Sequence, residues 1–84
     1  MQITIYSTTT CPYCKALKDY LTGKGVSFVE KMVDLDETVK EEMSKYSNGF
    51  LGVPFTLITL DDGRQEAIIG FDQGKIDSLL NLQG

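Results

Sequence analysis

Ile3 and Ile5 alternate with Thr4 and Tyr6, and this period of two predicts a strand over residues 2–7. Thr8, Thr9 and Thr10 form a polar loop, and Pro12 opens a helix where its missing N–H costs nothing. Cys14, Leu17 and Leu21 recur at helical spacing as the buried stripe; Lys15, Lys18 and Asp19 point towards water. Gly23 and Gly25 end this helix. A second strand is predicted over residues 26–33, with Val26, Phe28 and Glu30 on one side. Asp34 or Asp36 caps a second helix with the stripe Val39, Met43 and Tyr46. On its outer face Glu41 stands four residues before Lys45, a favourable pair, and Ser47-Asn48-Gly49 stops it.

Residues 54–60 carry apolar side chains on both faces and read as a central strand. Asp61-Asp62-Gly63 is a hairpin signal, and residues 64–69 return as a more polar edge strand. Gly70 breaks that strand; Asp72 caps a last helix with the stripe Ile76, Leu79 and Leu80. The order is βαβαββα. The crossover of about 18 residues from Thr8 to Gly25 is long enough to make the first two strands parallel, and the tight turn makes the last two antiparallel. An α/β fold follows: a four-stranded mixed sheet flanked by three helices, in a single domain over residues 1–84.

Composition narrows the function classes. With 42% hydrophobic and 24% charged residues the chain suits a globular fold. The net charge is −4, and Arg64 is the one arginine, so a basic face for nucleic acid or a polybasic membrane contact is not expected. The sequence contains no histidine, which excludes Ser-His-Asp and Cys-His catalysis and histidine-containing metal sites. No apolar run approaches the ~20 residues of a membrane span. The start of the chain alternates like a strand and has no basic n-region, so a cytoplasmic location is expected.

The chemistry then rests on Cys11 and Cys14, which form one C-x-x-C where the first strand gives way to the first helix. Unpaired N–H groups and the helix dipole stabilise a thiolate there, lowering a pKa of about 8.5 to between roughly 3.5 and 7.5. Cys11 just before Pro12 is the exposed nucleophile; Cys14, one turn in and facing the core, attacks the resulting mixed disulfide. Two blander readings stand beside this one. The pair is a structural staple, or it is half of a zinc site that a second chain completes, since two ligands are too few for tetrahedral zinc. Met32, Met43, Phe28 and Phe55 read as packing residues. Phe50 and Phe71 divide evenly between packing and a docking surface. Tyr6 is expected beside the first helix, and Asp34, Asp36, Glu37, Glu41 and Glu42 as a solvated helix start and face.

Cys11-Pro12-Tyr13-Cys14 after one strand, with Val53-Pro54 opening a later one, resembles the dithiol glutaredoxins of the thioredoxin fold over essentially the whole chain. The resemblance implies sheet order 2-1-3-4 and a disulfide oxidoreductase. Its partners would be disulfide-containing proteins, with glutathione as cosubstrate and no bound metal or organic cofactor; the small acidic domain itself argues for a monomer. It implies a cis Val53-Pro54 bond facing the cysteines and a glutathione groove formed by Tyr13, Val53, Pro54, Gly70, Phe71 and Asp72. Departures weaken that groove. Thr8 stands where most glutaredoxins place a lysine that meets the glycine carboxylate of glutathione. Ile69 replaces the first glycine, and Gln73 the second acid, of a Gly-Gly-x-Asp-Asp stretch. Gly49-Phe50-Leu51-Gly52-Val53-Pro54 and Gly70-Phe71 resemble instead the glutaredoxin-like redoxins that serve ribonucleotide reductase and draw electrons from thioredoxin reductase. A non-catalytic reading, a binding module or a metal or cluster shared between chains, is disfavoured by Pro12, because cluster-binding relatives carry a small residue there.

Overall fold

The computed structural model describes residues 2–49 and 52–81. Seven elements follow one another: β1 (Gln2–Ser7), α1 (Pro12–Gly23), β2 (Val29–Met32), α2 (Glu37–Ser47), β3 (Phe55–Thr59), β4 (Gln65–Ile69) and α3 (Gln73–Asn81). The sheet runs β2-β1-β3-β4. β1 and β2 are parallel, whereas β1–β3 and β3–β4 are antiparallel, so the expected mixed sheet and its order are present.

Side-chain alternation assigns the layers. Ile3, Ile5, Ile58 and Ile68 pack with Leu17 and Leu21 of α1 and Ile76 and Leu79 of α3. Tyr6, Phe55 and Leu57 point the other way, onto Met43 of α2. The sheet is therefore covered by two helices on one face and one on the other. Tyr6 belongs to the α2 layer, not beside α1: it lies one residue from Ile5, and the pleat turns neighbours to opposite faces.

β2 is shorter than the sequence pattern suggests. Only residues 29–32 pair with β1; Val26 and Phe28 pack against the α1/α3 core from an unpaired approach. Asp36, not Asp34, caps α2, its carboxylate accepting the Thr38 N–H at 2.9 Å. Asn48 in the left-handed region (φ 57°) ends α2. On α2 it is Glu42, not Glu41, that is paired: its carboxylate accepts from Lys31 at 2.8 Å and from the Tyr6 hydroxyl at 2.5 Å. Burial, followed by this bond to Glu42, pushes the Tyr6 hydroxyl pKa well above its ordinary value. Glu42 is thus a tie between α2 and the sheet rather than a merely solvated charge. Asp72 caps α3 as expected, accepting the Lys75 N–H at 3.0 Å.

Candidate active site

β1 delivers the chain to the mouth of the α1/α3 layer. A four-residue loop, Thr8 to Cys11, then turns it into α1. Asp34 holds that loop: one carboxylate oxygen accepts the Thr9 N–H at 3.0 Å and the Thr9 hydroxyl at 2.7 Å. These two bonds, the backbone one first, draw the Asp34 carboxyl below its ordinary pKa. The residue that sequence reasoning left as an alternative helix cap thus fixes the approach to the cysteines.

Cys11 is the N-cap of α1, with extended backbone, and Pro12 occupies the first helical position. The Cys14 backbone N–H donates to Cys11 Sγ at 3.1 Å. An N-cap normally offers oxygen to such a donor; here sulfur takes its place, at the positive end of the helix dipole. Cys14 is 1% exposed, while Cys11 is only half-buried. The two are joined in a disulfide with Cα atoms 5.2 Å apart. Once reduced, Cys11 is expected to titrate below pH 7 and Cys14 above it. Alkylation rate against pH measures both, and one shared titration near 8.5 would rule out activation by helix placement.

Lys18 does not project freely. Its ammonium lies 2.7 Å from Glu30 Oε2, which also accepts the hydroxyl of the fully buried Ser7 at 2.7 Å. Lys18 first, and Ser7 after it, lower the Glu30 pKa against the opposing effect of burial. Glu30 thereby links β2, β1 and α1. Nothing in residue order alone marks Ser7 and Lys18 as partners; only the parallel register, with Ile5 opposite Glu30, brings them together.

Of the other residues assigned to a groove, Val53, Pro54, Gly70, Phe71 and Asp72 lie at the start of β3 and the end of β4. Val53-Pro54 is cis. Because Tyr6 pairs with Phe55, this peptide sits beyond the last ladder position of β1, beside the Thr8–Cys11 loop. Val53 is half-buried and Pro54 buried. The Gly70 N–H donates to the Pro54 carbonyl at 2.8 Å, with Gly70 at φ 77°, a conformation suited to glycine. Tyr13, in the first turn of α1, is 67% exposed, and Ile69, at the end of β4, is 58% exposed. Phe71 resolves towards packing: its ring meets Tyr20 edge-on at 5.6 Å and lies against the α1/α3 core. Phe50 and Leu51 are outside the described residues.

A cleft of about 640 Å³ opens on the opposite flank, lined among others by Thr8, Thr10, Cys11, Cys14, Lys18 and Met32. None of Tyr13, Val53, Gly70 or Asp72 lines it. The sulfur pair thus opens onto a cleft on the β2 side that is lined by hydroxyls and lysines. Among the described residues no group of three or more Cys, Asp or Glu side chains is arranged to hold a metal ion.

The glutaredoxin family model matches residues 3–62, which include both cysteines and Pro54. This chain belongs to the glutaredoxin family. An uncharacterized glutaredoxin-like 8.6 kDa protein in the rubredoxin operon of Clostridium pasteurianum is 42% identical over 78 residues, covering 93% of this chain and 96% of the relative. A probable glutaredoxin of Synechocystis is 37% identical, covering 95% and 93%. Among solved structures, NrdH-redoxin of Escherichia coli, a glutaredoxin-like protein with a thioredoxin-like activity profile, superposes with a TM-score of 0.75 at 29% identity, covering 94% and 95%. As a glutaredoxin it is a thiol–disulfide oxidoreductase, and its disulfide-capable cysteine pair is Cys11 and Cys14. Among its described residues no helix is long and apolar enough to cross a membrane.

Proposed function

We propose that this glutaredoxin reduces protein disulfides and glutathione mixed disulfides with Cys11 as nucleophile and Cys14 as resolving thiol. The asymmetry of the pair carries the assignment: Cys11 is reachable and receives a helix N–H, whereas Cys14 is enclosed. The Cys11 thiolate attacks one sulfur of the substrate disulfide, and the other sulfur leaves as a thiolate that takes up a proton. Cys14 then attacks Cys11 Sγ and releases the second substrate thiol. The disulfide so formed is the state of the structure described here. No metal or organic cofactor enters these steps, and a monomer in a reducing cytoplasm suffices for them.

Glutathione is the proposed cosubstrate, bound by Tyr13, the Val53 backbone and the Gly70–Asp72 turn. Two features make that binding weak. Thr8 offers no ammonium, which removes a charge-assisted bond of about 1.5–3 kcal/mol. Ile69 places an exposed side chain where the family pattern has glycine. Thr8→Lys is therefore expected to lower the apparent KM for glutathionylated substrates about tenfold, with a smaller effect on protein disulfides. Saturation of the wild-type protein at low glutathione, together with no response to Thr8→Lys, would count against a weakened groove.

A second reading concerns the electron donor. The likeness to NrdH-redoxin, along with the Gly70-Phe71 segment, favours thioredoxin reductase. Reduction of the oxidised protein by glutathione and, separately, by thioredoxin reductase with NADPH distinguishes the two donors.

A further inference from the structure

Of the charged side chains that line the sulfur cleft, Lys15 is the cation that the fold leaves unpaired. Lys15, Lys18 and Asp19 all line this cleft together with both cysteines. Lys18 is committed to Glu30 at 2.7 Å. Elsewhere Lys24, Lys31 and Arg64 are each ion-paired, and the Lys75 ammonium donates to the Ala67 carbonyl. Lys40 and Lys45 lie on α2, outside the cleft. Lys15 is exposed, and its ammonium has no ion-pair or hydrogen-bond partner among the described residues.

Helix geometry fixes its place beside the nucleophile. The Lys15 N–H donates to the Cys11 carbonyl at 3.3 Å, so the two residues are one helical turn apart. Four residues advance the axis by roughly 6 Å, and Asp19 stands four residues further on. A disulfide brought to Cys11 through this cleft therefore meets Lys15 before it meets Asp19. Attraction between exposed charges reaches about 8 Å in physiological salt, so Lys15 acts on groups close to the reacting sulfurs and not on the partner as a whole. The net charge of −4 repels acidic proteins at long range, whereas a cation beside the nucleophile selects among the segments that arrive. Thr8 and Thr10 also line the cleft and offer hydroxyls to a carboxylate; the Thr9 hydroxyl is held by Asp34.

We infer that Lys15 is a specificity-determining residue, favouring protein disulfides that carry an acidic side chain next to the attacked cysteine. This rests on Cys11 as nucleophile, and it deepens that reading by naming the chemistry of the substrate. Lys15 takes no part in making or breaking bonds. It holds the substrate carboxylate over the cleft while the Cys11 thiolate attacks the neighbouring sulfur. A basic side chain at the same place meets a like charge.

The test uses two peptides that each contain one intramolecular disulfide and differ only in having glutamate or lysine beside each cysteine. The protein, reduced beforehand and freed of reductant, is mixed with each peptide in a single turnover. It supplies both electrons: the peptide disulfide becomes a dithiol and the Cys11–Cys14 disulfide forms. No external donor enters. Acid quenching and separation of the peptide dithiol give the two rates, and their ratio is the readout. A change in Cys11 acidity scales both rates alike and cancels from that ratio.

At low ionic strength the glutamate peptide is expected to react about fivefold faster than the lysine peptide, and in about 0.5 M sodium chloride the two rates converge. Lys15→Gln lowers the low-salt ratio about threefold, and Lys15→Glu takes it below one. Lys40→Gln removes the same charge from an exposed position on α2 and keeps the wild-type ratio. An unchanged ratio in both Lys15 variants, or an equal fall in Lys40→Gln, overturns the assignment and leaves the dithiol reading intact. If neither peptide oxidises the protein, the dithiol reading falls and this inference with it.

Discussion

Cys11→Ser is expected to remove all disulfide reductase activity while the fold persists. The other thiol, Cys14, is 1% exposed and cannot meet an incoming disulfide without α1 lifting from the sheet. The expected loss is at least a thousandfold, since a serine hydroxyl at this position is not ionised at neutral pH and cannot replace a thiolate. Cys14→Ser behaves differently. It loses reduction of protein disulfides that require a second thiol, yet it retains turnover of glutathione mixed disulfides, because external glutathione can resolve the Cys11 intermediate. Activity assays on both substrate classes, with circular dichroism as a check on folding, separate these outcomes. An active Cys11→Ser beside a Cys14→Ser dead in every assay would reverse the two roles.

Phe55→Ala is expected to cost about 3–5 kcal/mol, the usual range for removing a buried aromatic ring. Phe55 is fully buried, directly follows the cis peptide, and packs on Tyr6 with ring centroids 5.8 Å apart. Domains hold roughly 5–15 kcal/mol in total, and a chain this small stands near the lower end. The variant is therefore largely unfolded at 37 °C, and its urea midpoint falls steeply. A midpoint shift corresponding to less than about 1 kcal/mol would mean that the α2 layer contributes little to stability.

The strands β1, β3 and β4 were legible because alternation and turn chemistry agree there: Asp61-Asp62-Gly63 closes the hairpin and Gly70 ends it. The stripe Cys14, Leu17 and Leu21 was equally plain, and all three are buried. The start of β2 was not. Val26 and Phe28 are apolar because they pack on α1 and α3, and hydrophobicity alone does not tell a packed approach from a paired strand. The placement of Tyr6 was available in principle, since it must face away from Ile5. The redox pair was legible because its chemistry is local, two thiols at one helix start. The Ser7–Glu30–Lys18 link was not, since it depends on three elements meeting in one register. The same holds for Asp34 and Thr9, 25 positions apart in sequence.

The layer arrangement also bears on how this chain can be cut or joined. The segment that matches the family model stops at residue 62 and holds every sulfur atom of the redox pair. Yet the helix that presents those sulfurs rests on Ile68, Ile76 and Leu79, all downstream of that point. Tyr20 of α1 is hydrogen-bonded to Asp77 and stacked edge-on with Phe71, and Lys24 pairs with Asp77 at 3.2 Å. A fragment trimmed to the matched segment would keep the signature and lose the bed beneath it. Fusion junctions and minimal designs drawn from this scaffold accordingly belong beyond α3, and transplanting the four-residue signature into another scaffold requires a substitute for that bed.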